Sequence, residues 1–318
     1  MPGIVYYPDD RPGITRRRWG RGFRYLAPDG TAIDDAGERK RLASLAVPPA
    51  YDDVWMCPLP HGHLLATGRD AKNRKQYRYH PDWAAERART KFELLPDFGR
   101  TLPRIRRRVR RDLTEDAGEK TFALASAVAL IDRVAMRVGS DEYARENGSY
   151  GALTLRQRHV ALNGTCINLS YTAKGGKRVR KQMADRTLAR ILNKIGDLPG
   201  ATLLSWVDDD GTPQTLSSHA LNDYIAATCD MDGITAKTFR TWAGTLAAFE
   251  VAQAGPTTIK EMSQAAATRL HNTPTIARNS YIHPKVIDLA QHEATLPAPT
   301  EIPDLRVSEQ HLLSWLES

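Results

Sequence analysis

The residues of this chain that could take part in a reaction are cations, one amide and one phenol in its second half. The sequence contains no P-loop and no G-x-G-x-x-G, G-x-S-x-G or H-E-x-x-H motif, so neither nucleotide hydrolysis nor zinc hydrolase chemistry is supported. The candidates that remain are Arg137, Lys174, Arg240, Asn272 and Tyr281. Each also has a structural interpretation, as a helix cap, a solvated turn residue or a packing residue. Residue type and spacing alone do not distinguish this tyrosine from the others.

Metal binding has one candidate, the acidic run Asp208-Asp209-Asp210-Gly211. Because glycine and then proline follow the aspartates, the run is typical of a surface turn, and we predict no metal site. Cys57, Cys166 and Cys229 lie far apart without C-x-x-C spacing. We therefore expect small buried thiols in a reducing compartment, not disulfides or zinc ligands.

The charge balance indicates a polyanionic partner. The 318 residues carry a formal net charge of +8, with an isoelectric point near 9.4, which in a globular protein most often means nucleic acid. Positive residues are concentrated in the segments 16–24, 69–78, 100–111 and 174–181. The arginines of segment 100–111 are too many for one helical stripe, so we predict that this segment is solvated or faces phosphates.

Segment 69–78 with its flank is the most informative for binding, because cations alternate there with aromatic and amide side chains. The candidate DNA contacts in it are Arg69, Lys72, Arg74, Gln76, Tyr77 and Tyr79. The cations can meet phosphates, the tyrosines can stack or donate to phosphate, and the glutamine can reach a base edge. An ordinary edge strand of alternating polar residues has the same pattern, and residue types alone leave both interpretations open.

The chain is predicted to be an α+β protein with two domains, residues 1–90 and 91–318. Up to about residue 90 the signals are strands and tight turns, including the alternating stretch Trp19–Leu26 and strands on either side of Pro60-His61-Gly62. Beyond it, helical spacing predominates, and Thr121–Val138 is apolar on almost every side, which predicts a buried helix.

Two β-like runs interrupt the helices and meet at the turn Lys174-Gly175-Gly176-Lys177, which predicts a hairpin. Helices are predicted to resume at 185–195, 217–228, 236–253 and 259–270, followed by a proline-rich break and a short amphipathic tail at 308–316.

The N-terminus has no secretory pattern, and the longest apolar stretch, Phe122–Ile131, is too short for a bilayer span, which needs about 20 residues. We therefore expect a cytoplasmic, nucleoid-associated protein that does not contact a membrane.

Several segments, in the same order, resemble the type IB DNA topoisomerases, particularly the short poxvirus-like form found in bacteria. They are Arg137-Val138-Gly139 with Tyr143 and Arg145-Glu146-Asn147, the Lys-x-Phe-Arg-Thr-Trp motif around Arg240, and Ala-Arg-x-Ser-Tyr-Ile-x-Pro around Tyr281. The stretch from Gly68 to Pro81 is similar to the β domain of that group. The resemblance covers most of the chain.

The resemblance implies a helical catalytic domain and a β-rich DNA-binding domain that close as a monomeric clamp around duplex DNA. Tyr281 would be the nucleophile that forms a 3′-phosphotyrosyl link, Arg137 and Arg240 would hold the phosphate oxygens, and Lys174 would protonate the leaving 5′ oxygen. It also implies relaxation of supercoils without ATP, nucleotide cofactor or metal. Gln76, Tyr77, Tyr79 and Tyr143 match positions that contact DNA in relatives.

The chain departs from the family pattern at two positions. Asn272 stands where many relatives have His, and an amide can donate only a neutral hydrogen bond. Ala173 replaces the usual Gly before Lys174, which leaves the neighbouring Lys177 as an alternative. Two other functions stay open: a tyrosine recombinase or integrase, although Lys237 occupies the place of its usual His, and a non-catalytic basic DNA-binding protein.

Overall fold

The computed structural model describes residues 3–71, 73–196, 200, 202–291 and 295–318. The chain folds into two compact units, Met1–Thr90 and Lys91–Ser318. The first is a sheet with one helix and the beginning of a second, and the second is mainly helical. The predicted α+β class is confirmed.

The first unit is built on a five-stranded antiparallel sheet. In chain order its elements are β1 (Ile14–Trp19), β2 (Gly22–Leu26), α1 (Ala36–Ser44), β3 (Asp52–Met56), β4 (Leu64–Arg69) and β5 (Lys75–Tyr79). The strands lie in the order β2-β1-β3-β4-β5, so β5 is an edge strand. The predicted strand Trp19–Leu26 is wrong as a single element, because Gly20 adopts φ +55° and turns the chain between β1 and β2.

Helix α1 packs on this sheet and has no counterpart among the elements predicted from the sequence. It begins after Asp35, whose carboxylate accepts a hydrogen bond from the backbone N–H of Glu38 at 2.7 Å, a standard N-terminal cap. Leu42 is its one buried residue, and it packs with Ile14, Val54 and Met56. Its sequence has almost no apolar periodicity, so Leu42 is its one apolar anchor, and Arg41, which donates to the Cys57 carbonyl oxygen at 3.1 Å, adds a polar one.

The second unit contains the remaining helices and two small sheets. In chain order they are α2 (Pro81–Glu93, which begins in the first unit), α3 (Leu95–Asp112), α4 (Lys120–Val134), α5 (Asp141–Asn147), β6 (Val160–Asn163), β7 (Cys166–Ala173), β8 (Lys177–Ala184), α6 (Arg186–Gly196), β9 (Ser205–Val207), β10 (Pro213–Thr215), α7 (Ser218–Cys229), α8 (Ala236–Gln253), α9 (Ile259–Leu270), α10 (Pro274–Tyr281), α11 (Pro284–Ile287) and α12 (Val307–Glu317).

Helix α4 is the centre of this unit. It is buried on nearly all sides and packs against α3, α7 and α8, as its uniformly apolar sequence predicts. It ends at Ala135, which adopts a left-handed conformation (φ +57°), and the chain then turns towards Arg137. The predicted hairpin is β7–β8, paired from Cys166↔Ala184 to Ala173↔Lys177.

The arginines of α3 are mostly engaged in ion pairs. The half-buried Arg106 lies between Asp132 and Glu309, with N–O distances of 2.9 and 2.8 Å. Arg107 and Arg110 bond to Asp304, Arg108 and Arg111 to Asp112, and Arg100 to Glu317. The prediction that segment 100–111 is solvated or faces phosphates is therefore wrong for Arg106, because carboxylates distant in sequence fold onto it.

The acidic run at Asp208 is a turn between β9 and β10. The Asp208 carboxylate accepts hydrogen bonds from the backbone N–H of Thr212 at 2.8 Å and from the Gln214 amide at 2.7 Å, which holds the hairpin closed. Over the described part of the chain, no helix combines the length and apolar character that a membrane span requires.

Helix α12 is fastened to the unit by Glu309, whose side chain is 1% exposed. Replacing Glu309 by Ala leaves the Trp242 indole N–H, 3.4 Å from that carboxylate, without its partner and removes one of the two acids that hold Arg106. We expect Glu309→Ala to lower the free energy of unfolding by about 3 kcal/mol. Urea denaturation with an unchanged m value measures this. Asp304→Ala, which removes a partly exposed acid just before the same helix, is the control and should lower the free energy of unfolding far less.

Candidate active site

Tyr281 is the last residue of α10, a helix that begins at Pro274 after the capping residue Thr273. Its half-buried ring packs against the small apolar cluster of Ala135, Ala243 and Leu270. Gly244 of α8 lies directly beneath it, since a Cβ at that glycine would be 2.7 Å from the Tyr281 carbonyl oxygen. The tyrosine backbone therefore rests on the surface of α8.

Arg240 lies on α8 and is only 4% exposed. Its guanidinium donates to the carbonyl oxygens of Ala135 and Leu270 and, at 3.5 Å, to the Asn272 side-chain oxygen. Its Cζ is 5.1 Å from the centre of the Tyr281 ring. The partners of this buried cation in the described residues are thus neutral oxygens, an arrangement that leaves its charge available to an anion.

Arg137 reaches the same point from the loop that follows α4. Its carbonyl oxygen accepts from the Ala152 backbone N–H at 2.8 Å, and a Cβ at Gly151 would be 2.5 Å from that oxygen. Only glycine fits at such a close approach. The loop so held directs the Arg137 guanidinium to the side-chain oxygen of Asn272, to which it donates a hydrogen bond.

Asn272 joins the two arginines. It is 6% exposed, and its Oδ1 accepts from both guanidinium groups. Its Nδ2 has no hydrogen-bond partner in the described structure, although an unpaired buried donor costs on the order of 1–3 kcal/mol. An oxyanion placed beside the two arginines would satisfy that donor.

The preceding residue, His271, does not supply a further charge. Burial lowers its pKa to about 4, and the nearby cations Lys181, Lys177, Arg240 and Arg137 add to the effect. The imidazole is therefore neutral near pH 7.

Lys174 lies on the exposed tip of the β7–β8 hairpin, where Gly175 and Gly176 adopt φ of +80° and +76°. Its Nζ is 5.8 Å from the centre of the Tyr143 ring on α5. The neighbouring Lys177 is the hairpin residue that bonds to the site, because its Nζ donates to the Asn272 carbonyl oxygen at 2.9 Å. The structure thus brings together Arg137, Arg240, Asn272 and Tyr281, with Lys174 beside Tyr143.

The cations change the acidity of the phenol. Burial alone raises the pKa of Tyr281, but the positive charge of Arg240, with those of Arg137 and Lys237, outweighs burial and lowers the pKa below its ordinary value. Tyr171, which is also near both arginines but more deeply buried, shows the opposite balance, and burial raises its pKa to about 12. The Tyr281 phenol is therefore more acidic than an ordinary tyrosine.

Comparisons with known proteins decide the family. The model of the eukaryotic DNA topoisomerase I catalytic core matches residues 73–280, and that of the bacterial DNA topoisomerase IB N-terminal domain matches residues 22–70. The chain belongs to the type IB DNA topoisomerase family. This confirms the expected family and enzyme class.

Two relatives of this topoisomerase show how far the similarity extends. The DNA topoisomerase 1B of Acanthamoeba polyphaga mimivirus is 29% identical over 238 residues, which cover 74% of this chain and 70% of the relative. The DNA topoisomerase 1B of Vaccinia virus (strain Copenhagen) is 23% identical over 124 residues, 39% of each chain. The catalytic-core match ends one residue before Tyr281.

The candidate DNA contacts of the first unit lie on and before β5. Tyr77 and Tyr79 are 52% and 45% exposed, and their rings stack with centres 6.1 Å apart. Gln76 has the opposite orientation in the strand and donates to Asp70 at 3.0 Å. Arg69 bonds to Asp53 and the Asn73 carbonyl, and Arg74 to Asp70, whereas Lys72 lies outside the described residues.

Sequence reasoning missed the role of Lys91. Its Nζ donates to the carbonyl oxygen of Ser280, the residue before Tyr281, at 2.9 Å. Burial lowers its pKa to about 8, with help from Lys237. The two residues are 189 positions apart, and no local signal in the sequence connects them.

The electrostatics of this topoisomerase site give a direct test. We expect the pKa of Tyr281 to lie below its ordinary value and to rise above it in Arg240→Met, because burial then acts with less opposing charge. Titration of 13C-labelled tyrosines by NMR measures this, with Tyr281→Phe to assign the signal. Tyr224, held by Asp112 at 2.8 Å, is the internal control and should not change. An unchanged Tyr281 pKa in the variant would contradict the proposed balance.

Proposed function

We propose that this enzyme relaxes supercoiled duplex DNA by transient cleavage of one strand, strand rotation and religation, without ATP or metal. The observation that carries the proposal is the convergence of two guanidinium groups and an unpaired amide donor beside a phenol of lowered pKa. These groups suit a phosphodiester, whose non-bridging oxygens gain negative charge during substitution at phosphorus.

In the proposed step the Tyr281 oxygen attacks the scissile phosphorus in line with the 5′ oxygen. The tyrosine O–P bond forms as the P–O5′ bond breaks, which leaves a 3′-phosphotyrosyl link and a free 5′-hydroxyl. Religation is the reverse transfer, so the ester bond is conserved and no nucleotide is consumed. Arg137 and Arg240 would hold the non-bridging oxygens, because a guanidinium is a planar, permanently charged donor.

Asn272 would contribute its free Nδ2–H to the same oxygens. Loss of one preorganised donor of this kind typically costs about 10²- to 10³-fold in rate. Its Oδ1 already accepts from both arginines, which fixes the amide orientation so that the nitrogen is the group offered to the phosphate.

Lys174 is proposed as the acid that protonates the departing 5′ oxygen. The support is its place on an exposed, glycine-containing hairpin tip beside Tyr143, on the hairpin whose Lys177 bonds to Asn272. The exposed position lets the ammonium reach a strand of DNA bound over the site.

We propose a separate function for each unit: residues 1–90 are the DNA-binding domain, and residues 91–318 are the catalytic domain. Tyr77 and Tyr79 offer exposed stacked rings, and Tyr143 lies beside Lys174. Gln76, Arg69, Lys72 and Arg74 remain proposed contacts to the DNA backbone or bases. We further propose that the enzyme acts as a monomeric clamp at the nucleoid.

Plasmid relaxation tests the reaction. Supercoiled plasmid with purified protein, in EDTA and without ATP, should relax in steps, and Tyr281→Phe should abolish both relaxation and the covalent protein–DNA adduct. Tyr150→Phe, which removes a hydroxyl that Arg158 contacts at 3.1 Å in the same unit, is the matched control and should retain activity. A requirement for paired specific sites would indicate a recombinase, and binding without relaxation a passive DNA-binding protein.

The aromatic pair on β5 gives a second prediction. We expect Tyr77→Ala with Tyr79→Ala to weaken duplex binding by about 1.5–3 kcal/mol for each lost hydrogen bond between a tyrosine hydroxyl and a phosphate, while the cleavage rate at saturating DNA stays the same. Fluorescence anisotropy over a salt series, combined with single-turnover cleavage, separates the two effects. The slope of log affinity against log salt should be unchanged, because neither ring neutralises a phosphate. Equal affinity in the variant would exclude these rings as contacts.

A further inference from the structure

The helix that ends at Tyr281 is short and largely exposed for an element that carries a nucleophile. Of the eight residues of α10, only Ala277 is buried, although the helix contacts α8 and α9 and Thr245 of α8 donates to the Tyr281 carbonyl oxygen at 3.2 Å. With so little buried side chain, further interactions are needed to fix the helix, because a nucleophile that moves by about 1 Å can lose on the order of 10²-fold in rate.

Two lysines compensate, one near each end of the helix. Lys177 donates to the carbonyl oxygen of Asn272, just before the helix begins, and Lys91 donates to the carbonyl oxygen of Ser280, in its last turn. Both N–O distances are 2.9 Å. Each lysine comes from a different element, the β7–β8 hairpin and the end of α2.

The Ser280 carbonyl is a suitable acceptor for a cation. The carbonyls of the last turn of a helix lack partners within the helix, and the helix dipole makes that end negative, so a cation there is favourable. The Asn272 carbonyl precedes the helix, and there the hydrogen bond itself is what joins Lys177 to the segment. The Lys91 ammonium is enclosed, with its Nζ 4.0 Å from the centre of the Phe92 ring. An enclosed charge holds its hydrogen-bond partner more firmly than a solvated one.

We propose that Lys91 and Lys177 are positioning residues that hold α10 at both ends and so align the Tyr281 phenol for attack on the phosphate. This inference rests on the proposed function of Tyr281. Neither lysine touches the reacting atoms in this role, which distinguishes them from Lys174. Lys177 also joins the hairpin that carries Lys174 to the segment that leads into the nucleophile helix.

Single-turnover cleavage of a synthetic duplex tests the proposal, with either an ordinary phosphodiester or a 5′-bridging sulfur at the cleaved bond. Lys91→Met and Lys177→Met should each cleave about 10- to 100-fold more slowly, by the same factor on both substrates. The sulfur leaving group needs no protonation, so it rescues the loss of an acid but not the loss of nucleophile alignment. Lys174→Ala should be rescued by sulfur.

Control variants separate positioning from general effects. Lys120→Met removes a lysine of the same unit that lies over the Trp206 ring and should cleave at the wild-type rate. Lys177→Arg keeps a donor for the Asn272 carbonyl and should retain most of the rate. Duplex affinity and thermal stability should be unchanged in the Lys177 variants. If Lys91→Met fails to fold, Lys91→Gln, which keeps an N–H donor, replaces it. The cleavage rate of Lys91→Gln should fall by less than the about 10- to 100-fold expected for Lys91→Met.

The possible results have distinct meanings. Wild-type cleavage by Lys91→Met and Lys177→Met overturns the inference while the proposed function stands. Rescue of Lys177→Met by sulfur also overturns it, because Lys177 would then serve the acid and not the nucleophile. Adduct formation by Tyr281→Phe would instead refute the proposed function itself.

Discussion

The Oδ1 atom of Asn272 accepts hydrogen bonds from two guanidinium groups, and the candidate site depends on keeping those two like charges together. Arg137 and Arg240 repel each other, and burial removes much of the water that would screen them. The neutral oxygens that surround them, from the Asn272 side chain and the backbone of Ala135 and Leu270, stabilise the pair without cancelling its charge. A bound phosphate would complete this compensation.

Another arginine of the same unit, the half-buried Arg106, has a structural role. Arg106 is enclosed by Asp132 and Glu309, so its charge is neutralised within the chain and ties α12 to α3 and α4. Arg240 is buried more deeply, and its partners are neutral. The two arginines thus differ in the hydrogen-bond acceptors around them: carboxylates neutralise Arg106, whereas neutral oxygens leave the charge of Arg240 available to an anion.

Much of the helical unit could be predicted because its periodicity is strong. The predicted helices at 236–253 and 259–270 match α8 and α9 at both ends, and the glycine-rich turn located the hairpin. Helix α1 was missed because it has a single buried leucine, and its cap and the bond from Arg41 to the Cys57 carbonyl leave no apolar periodicity in the sequence. The pairing of Arg106 and the contact of Lys91 with Ser280 were missed because they join residues 26 to 203 positions apart. The site residues were found by family resemblance, and spacing alone would not have selected them.

Helix α8 also sets a distance within the candidate site. Arg240 and Gly244 are four residues apart, so they lie on the same face and are separated by slightly more than one helical turn, about 6 Å along the axis. One supplies the guanidinium, and the other supports the Tyr281 backbone. Helix α8 therefore sets the distance between the Arg240 backbone and the point on which the Tyr281 backbone rests, whereas the orientation of the phenol above that point also depends on how α10 is held at its two ends.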